Sequence, residues 1–204
     1  EKPMTTTAEK AQRILDAKKK TGRNLRVTFN YRYSPPRTQV KDLLMAGEIG
    51  DLRSVDFHWM LNTTHGADYF RLWYGQKKNS GGRMSHKASH DFDLVNWWVG
   101  GVPSKVMAMG KREFYTPEMA KRLGLQSHHD RCYTCPEKEK CTFFYDLAGQ
   151  PNLKAMYLDQ EKHDGYFRDQ CIWNPRIDIE DTMNVLVTYD NKVTLSYSLN
   201  AFNS

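Results

Sequence analysis

Met183-Asn184-Val185-Leu186-Val187-Thr188-Tyr189-Asp190-Asn191-Lys192-Val193-Thr194-Leu195-Ser196-Tyr197-Ser198-Leu199 decides the fold class of this chain. Met183, Val185, Val187 and Tyr189 alternate with polar or exposed neighbours, so one face of an extended segment is apolar. Asp190-Asn191 is turn chemistry, and a returning strand runs from Val193 to Leu199, which together predict a hairpin. A second period-2 stripe, Val55, Phe57, Trp59 and Leu61, predicts another one-sided strand, and Lys105 to Lys111 a further one. Helical patterns fill the intervals. Thr6-Thr7-Ala8-Glu9 reads as a capping box with Thr6 as N-cap, followed by Ala11, Ile14, Leu15 and Lys18 at helical spacing and a stop at Gly22. Leu25 to Asn30 alternates as a strand. Pro35-Pro36 opens a helix carrying Val40, Leu43 and Leu44 and ending at Gly47, and Gly81-Gly82 precedes a third helix from about Met84 to Val99. One-sided strands interleaved with helices predict a sheet covered by helices on one face and open on the other.

The chain has 204 residues, enough for one large domain or two small ones, and 12% aromatic residues give it apolar surface to offset ordering entropy. No run approaches the ~18 consecutive apolar residues of a membrane span, and Glu1-Lys2-Pro3-Met4 lacks the apolar segment of a signal peptide. The net charge of +6 is concentrated: residues 1–41 hold 11 basic and 3 acidic residues, the remainder 19 and 21. Its peak, Lys18-Lys19-Lys20, falls where a helix C-terminus favours cations. Without a zinc-finger spacing or an RNA-binding signature, this patch does not predict a nucleic-acid partner. Among 13 glycines there is no Gly-x-Gly-x-x-Gly and no Walker loop, so a Rossmann-type phosphate site is not expected within these residues.

Three places carry candidate chemistry. In Glu1-Lys2-Pro3, the proline fixes its own φ and can place the Lys2 ammonium rigidly; a plain surface lysine is the alternative. In Gly81-Gly82-Arg83-Met84-Ser85-His86-Lys87-Ala88-Ser89-His90-Asp91-Phe92-Asp93, a continuous helix puts His86, His90, Asp93 and Trp97 on one face. Two histidines one turn apart suit acid–base work or metal ligation. Lys87 stands where the Glu base of a zinc-protease helix would be, so protease chemistry is not expected. The glycine pair leaves room for a ligand at the helix start. Third, Cys132-x-x-Cys135-x5-Cys141 with Cys171 suits a structural tetrahedral Zn; two disulfides in an oxidising compartment, or an iron–sulfur cluster, are the competing readings. These cysteines sit in residues 112–175, a charge-rich stretch read as an insertion on the surface of the main domain.

Together, Glu1-Lys2-Pro3, Asn30-Tyr31-Arg32-Tyr33-Ser34-Pro35, Ala46-Gly47-Glu48-Ile49-Gly50 and Gly81 through Asp93 resemble the C-terminal domain of the Gfo/Idh/MocA oxidoreductases, over nearly the whole of residues 1–204. The resemblance implies an α+β fold on a large open, mostly antiparallel sheet, with the Rossmann domain that binds NAD or NADP lying outside this chain. It implies that Lys2 contacts the nicotinamide ribose and the substrate hydroxyl, and that His90 is the general base. Many members have Asp where this chain has His86, so His86 joins the catalytic candidates as an orienting or metal-binding group. Arg32, Tyr69, Arg71, Trp73 and Asp93, with Tyr74, are the expected substrate contacts, suited to a sugar, a cyclitol or a glycoside. Dimerisation through the sheet face follows from the same resemblance, with a cytoplasmic location unless the cysteines are disulfides. A scaffold role without catalysis, and glycoside cleavage through a transient ketone on bound NAD, are the alternative functions.

Overall fold

A computed structural model describes residues 2–126 and 128–203. Its elements in chain order are α1 (Ala8–Thr21), α2 (Pro35–Met45), β1 (Ser54–Asn62), α3 (Thr63–Arg71), α4 (Lys77–Ser80), α5 (Gly82–His86), α6 (Ala88–Val99), β2 (Pro103–Lys111), α7 (Pro117–Arg122), α8 (Pro151–Met156), α9 (Glu161–Asp164), β3 (Thr182–Tyr189) and β4 (Thr194–Asn203). The four strands form one open, mostly antiparallel sheet in the order β1-β4-β3-β2. This is the expected α+β class. The chain divides into two compact units, one of Glu1–Trp59, Arg83–Met109 and Met183–Ser198, the other of Met60–Gly82, Gly110–Thr182 and Leu199–Ser204.

In the first unit the alternation of β3 and β4 is realised as written: Val185, Val187, Tyr189, Leu195 and Tyr197 are buried, while Leu186 is 55% exposed on the opposite face. Helix α6 covers the apolar side. Phe92 meets Tyr197 at 4.8 Å between ring centroids, and the Tyr189 hydroxyl donates to Asn96 Oδ1 at 2.7 Å. The hairpin turns through Asp190–Lys192, with Lys192 at φ 70°. Two expectations change here. Thr7, not Thr6, caps α1, its hydroxyl accepting from the Lys10 amide at 3.3 Å. Leu25 to Asn30 is not a strand: it keeps the alternating burial, yet 22–29 carries no ladder, because an extended segment needs a pairing edge as well as an apolar face.

In the second unit the aromatic loop expected at 69–78 is helical, taken up by α3, a 3₁₀ turn at Trp73–Gly75 and α4. Residues 112–175 contribute Tyr115, Leu125, Leu147, Ile172 and Trp173 to this unit's core. Phe70 stacks on Tyr115 at 4.1 Å and Phe143 meets Trp173 edge-on at 5.3 Å. The buried Asp181 carboxylate accepts from the backbone amides of Glu113, Phe114 and Tyr115. Arg131 forks onto Glu161 at 2.8 and 2.5 Å and reaches Asp169 at 2.7 Å, tying loops that have little regular structure.

Candidate active site

The glycine pair starts the site for a backbone reason. Gly81 and Gly82 have φ of 75° and 85°, two consecutive left-handed residues that side chains rarely adopt. The helix that follows is not continuous. It breaks at Lys87, whose φ and ψ are −97° and −56°, so His86 ends α5 and His90 lies in the first turn of α6. The single face expected for His86, His90, Asp93 and Trp97 is therefore split.

The break has a chemical consequence. The His90 amide bonds to the Lys87 carbonyl at 3.3 Å, leaving the His86 carbonyl outside the helical ladder. That carbonyl accepts a hydrogen bond from the Lys2 ammonium, 84 residues away in sequence. The Lys2–Pro3 peptide is cis. Lys2 and the two histidines thus share one place, held by a backbone atom that an unbroken helix would have used up.

His90 is 9% exposed, and its Nδ1 is buried without a hydrogen-bond partner. Its ring stacks on Tyr31 at 4.3 Å with 13° between planes, and Phe29 meets it edge-on at 5.9 Å. The Arg37 guanidinium also lies 4.3 Å from the Tyr31 ring centre. One ring cannot take both at that distance on one face, so Tyr31 is held between the imidazole and the guanidinium. Burial pushes the His90 pKa down to about 4, reinforced by Lys2, Lys87 and Arg37 and opposed by Asp93. His86 is likewise held down to about 4, by burial first and then by Lys2, Arg83 and Lys87. Both rings are neutral over the ordinary pH range.

The other expected residues are placed differently. Arg32 and Asp93 face each other in a bidentate pair of 2.7 and 2.5 Å, so both Asp93 oxygens are engaged by Arg32. In the second unit, Arg71 is buried, donating to Cys132 Sγ at 3.2 Å and to the Phe143 carbonyl at 2.9 Å, with Tyr145 at 4.9 Å from its guanidinium. Tyr69 stacks with His65 at 5.7 Å, and Trp73, half exposed, meets Tyr74 at 5.2 Å. Tyr31 and Arg37 were not singled out from the sequence, and Lys87 was read only as excluding protease chemistry. Tyr31 lay within the Asn30–Pro35 motif, and Lys87 between the two histidines, but nothing in periodicity marks a stack or a buried ammonium.

The expected Zn is not supported. Among the described residues no group of three or more His, Cys, Asp or Glu is arranged to hold a metal ion. The four cysteines line one apolar cavity of about 20 Å³, and none of them is in a disulfide. Burial pushes the Cys132, Cys135 and Cys171 thiols above the usual range, so they are S–H groups in this setting.

Residues 41–204 match the family model described as "Oxidoreductase family, C-terminal alpha/beta domain". The chain belongs to the Gfo/Idh/MocA oxidoreductase family. It is 40% identical over 98% of its length to YteT of Bacillus subtilis (strain 168), a protein named as an oxidoreductase, and spans 48% of that relative. It is 30% identical, over 53% of its length and 31% of the relative's, to a protein of Rhizobium meliloti (strain 1021) named inositol 2-dehydrogenase. The fold matches that of the WlbA dehydrogenase from Bordetella pertussis, solved with NADH and UDP-GlcNAcA, at TM-score 0.62 and 18% identity, over 99% of this chain and 44% of that one. The aldose-aldose oxidoreductase from Caulobacter crescentus gives 0.60 at 15% identity, over 99% and 43%. The chain thus spans about half, or less, of the length of these relatives.

Proposed function

We propose that this chain is the substrate-binding and acid–base part of an NAD(P)-dependent oxidoreductase acting on a hydroxyl of a sugar, cyclitol or glycoside. The observation that carries the reading is the meeting of the Lys2 ammonium, at the His86 carbonyl, with the buried, unprotonated His90. The nicotinamide group implied by the family fits these residues in one respect: a fixed ammonium stands beside a base whose Nδ1 has no protein partner. Lys2 is the residue of this chain that would contact it, and it would supply the hydride acceptor. The remaining work falls to the protein. His90, neutral above about pH 4, takes the substrate hydroxyl proton. Lys2 stabilises the developing alkoxide by charge, and the Tyr31 and Phe29 rings exclude water around the imidazole and fix its plane. His86, in the family's Asp position, cannot supply a negative charge; its part is to hold Lys2 through its carbonyl. A homo-oligomer formed through the open sheet face belongs to the same reading.

In the full-length protein, His90→Ala and Lys2→Ala are expected to lower turnover of a hydroxyl substrate by at least ~100-fold while cofactor affinity changes little. Unchanged turnover in either variant removes that residue from the mechanism.

A further inference from the structure

One buried charge in the first unit takes no part in the proton transfer. The Lys87 side chain is 5% exposed, and its ammonium has no hydrogen-bond partner. It lies 3.6 Å from Asp91 Oδ1, 4.2 Å from the Trp59 ring centre and 5.5 Å from that of Tyr31. Asp91 is 1% exposed; its Oδ2 accepts from the Tyr197 hydroxyl at 2.8 Å and its Oδ1 has no hydrogen bond. Desolvation opposes both charges, pushing the Lys87 pKa down and that of Asp91 up. Apolar residues of like volume usually replace such a pair without loss of stability, so the fold alone gives no reason to keep it.

We propose that Lys87, charge-paired with Asp91 and set against Trp59 and Tyr31, is a positioning residue that keeps His90 an unprotonated base. The inference rests on the reading of His90 as the proton acceptor. The geometry has two parts. Lys87 is the residue at which the helix breaks, so its backbone carbonyl carries the His90 amide while its ammonium comes within 5.5 Å of the Tyr31 ring centre. Tyr31 is the ring on which the His90 imidazole lies. An ammonium fixed at this point discourages a second positive charge on the imidazole, and, being buried, it is screened little by salt. The groups facing His90 are Lys2 from the N-terminal segment, Tyr31 and Phe29 from the segment before α2, Arg37 from α2, and Lys87 and Asp93 flanking it in sequence. Lys87 is among the charges that hold His90 down, and its ammonium reaches Tyr31, whereas Asp91 is engaged by the Tyr197 hydroxyl. Neutralising the pair therefore still releases the imidazole.

The test is the titration midpoint of His90 by NMR in the full-length protein with labelled histidine, its resonance assigned by loss in His90→Gln. In Lys87→Met the midpoint is expected to rise by about one pH unit, and in Lys87→Arg to stay within a few tenths of the wild-type value. The acid limb of kcat/KM against pH should move with it. Should Lys87→Met not fold, Lys87→Met/Asp91→Asn reads the same midpoint without leaving a buried carboxylate unpaired. An unmoved midpoint in a folded variant overturns the proposal, and so does failure of the double variant to fold, which makes the pair a part of the fold. A wild type that oxidises no hydroxyl with NAD(P), while the midpoint shifts as expected, refutes the functional reading and leaves the role of Lys87 standing.

Discussion

His86 and His90 each titrate near 4 in the folded chain, against an ordinary value of 6.5. A histidine depressed by folding binds its proton more readily in the unfolded state. Between about pH 6.5 and 4 the unfolded chain therefore gains protons that the native one refuses, and native stability falls as pH drops through that window. Below about 4 both states are protonated and the loss levels off. Allowing for solvent screening at a partly open site, each ring contributes on the order of 1–2 kcal/mol. Urea unfolding at pH 7 and at pH 4.5 should give a drop in wild type that His86→Gln/His90→Gln largely removes. An equal drop in the double variant would place the acid sensitivity elsewhere. Residue identity at this scale was legible in the sequence for Lys2 and His90, because short motifs carry them. The Tyr31 stack was not, since it joins separate elements; the Lys87–Asp91 pair has an i,i+4 spacing, but nothing in that spacing marks it as buried.

At the scale of elements, strands read better than helices. Alternation in β3 and β4 maps directly onto burial, because a one-residue slip would put every apolar side chain on the wrong face. A helix can break without changing its apolar pattern, which is why α5 and α6 looked like one. Helix α3 shows a constraint the sequence hides. A Cβ added at Gly66 would lie 1.7 Å from the Ala201 carbonyl oxygen and 2.8 Å from the Tyr115 hydroxyl, which itself bonds that carbonyl at 2.6 Å. Backbone cannot yield as a flexible side chain can. Gly66→Ala, ordinarily favourable in a helix, is here expected to cost about 3 kcal/mol or more. Chemical denaturation measures it, and a neutral or stabilising result would mean that α3 and β4 are not in this contact.

For the whole molecule, the open sheet face is the feature with a consequence. All nine residues of β2 are exposed, an edge strand with no neighbour beyond it among the described residues. Val106 and Ala108 line a cavity with Val185 and Val187, so alternation turns Met107 and Met109 to the other face, with Leu186. These three side chains are 57, 61 and 55% exposed, a grouping of large apolar surface of the kind that marks association sites. A stable pairing of two copies would need roughly 800 Å² covered per partner. In the proposed homo-oligomer, charges placed on this face should separate the copies without touching α6, whose contacts lie on the opposite side. Leu186→Lys/Met107→Lys is expected to convert an oligomer to monomer in equilibrium sedimentation, with the circular dichroism spectrum and thermal midpoint little changed. A wild type that sediments as a monomer at high concentration, or a doubly charged variant that stays associated, would take the sheet face out of the assembly.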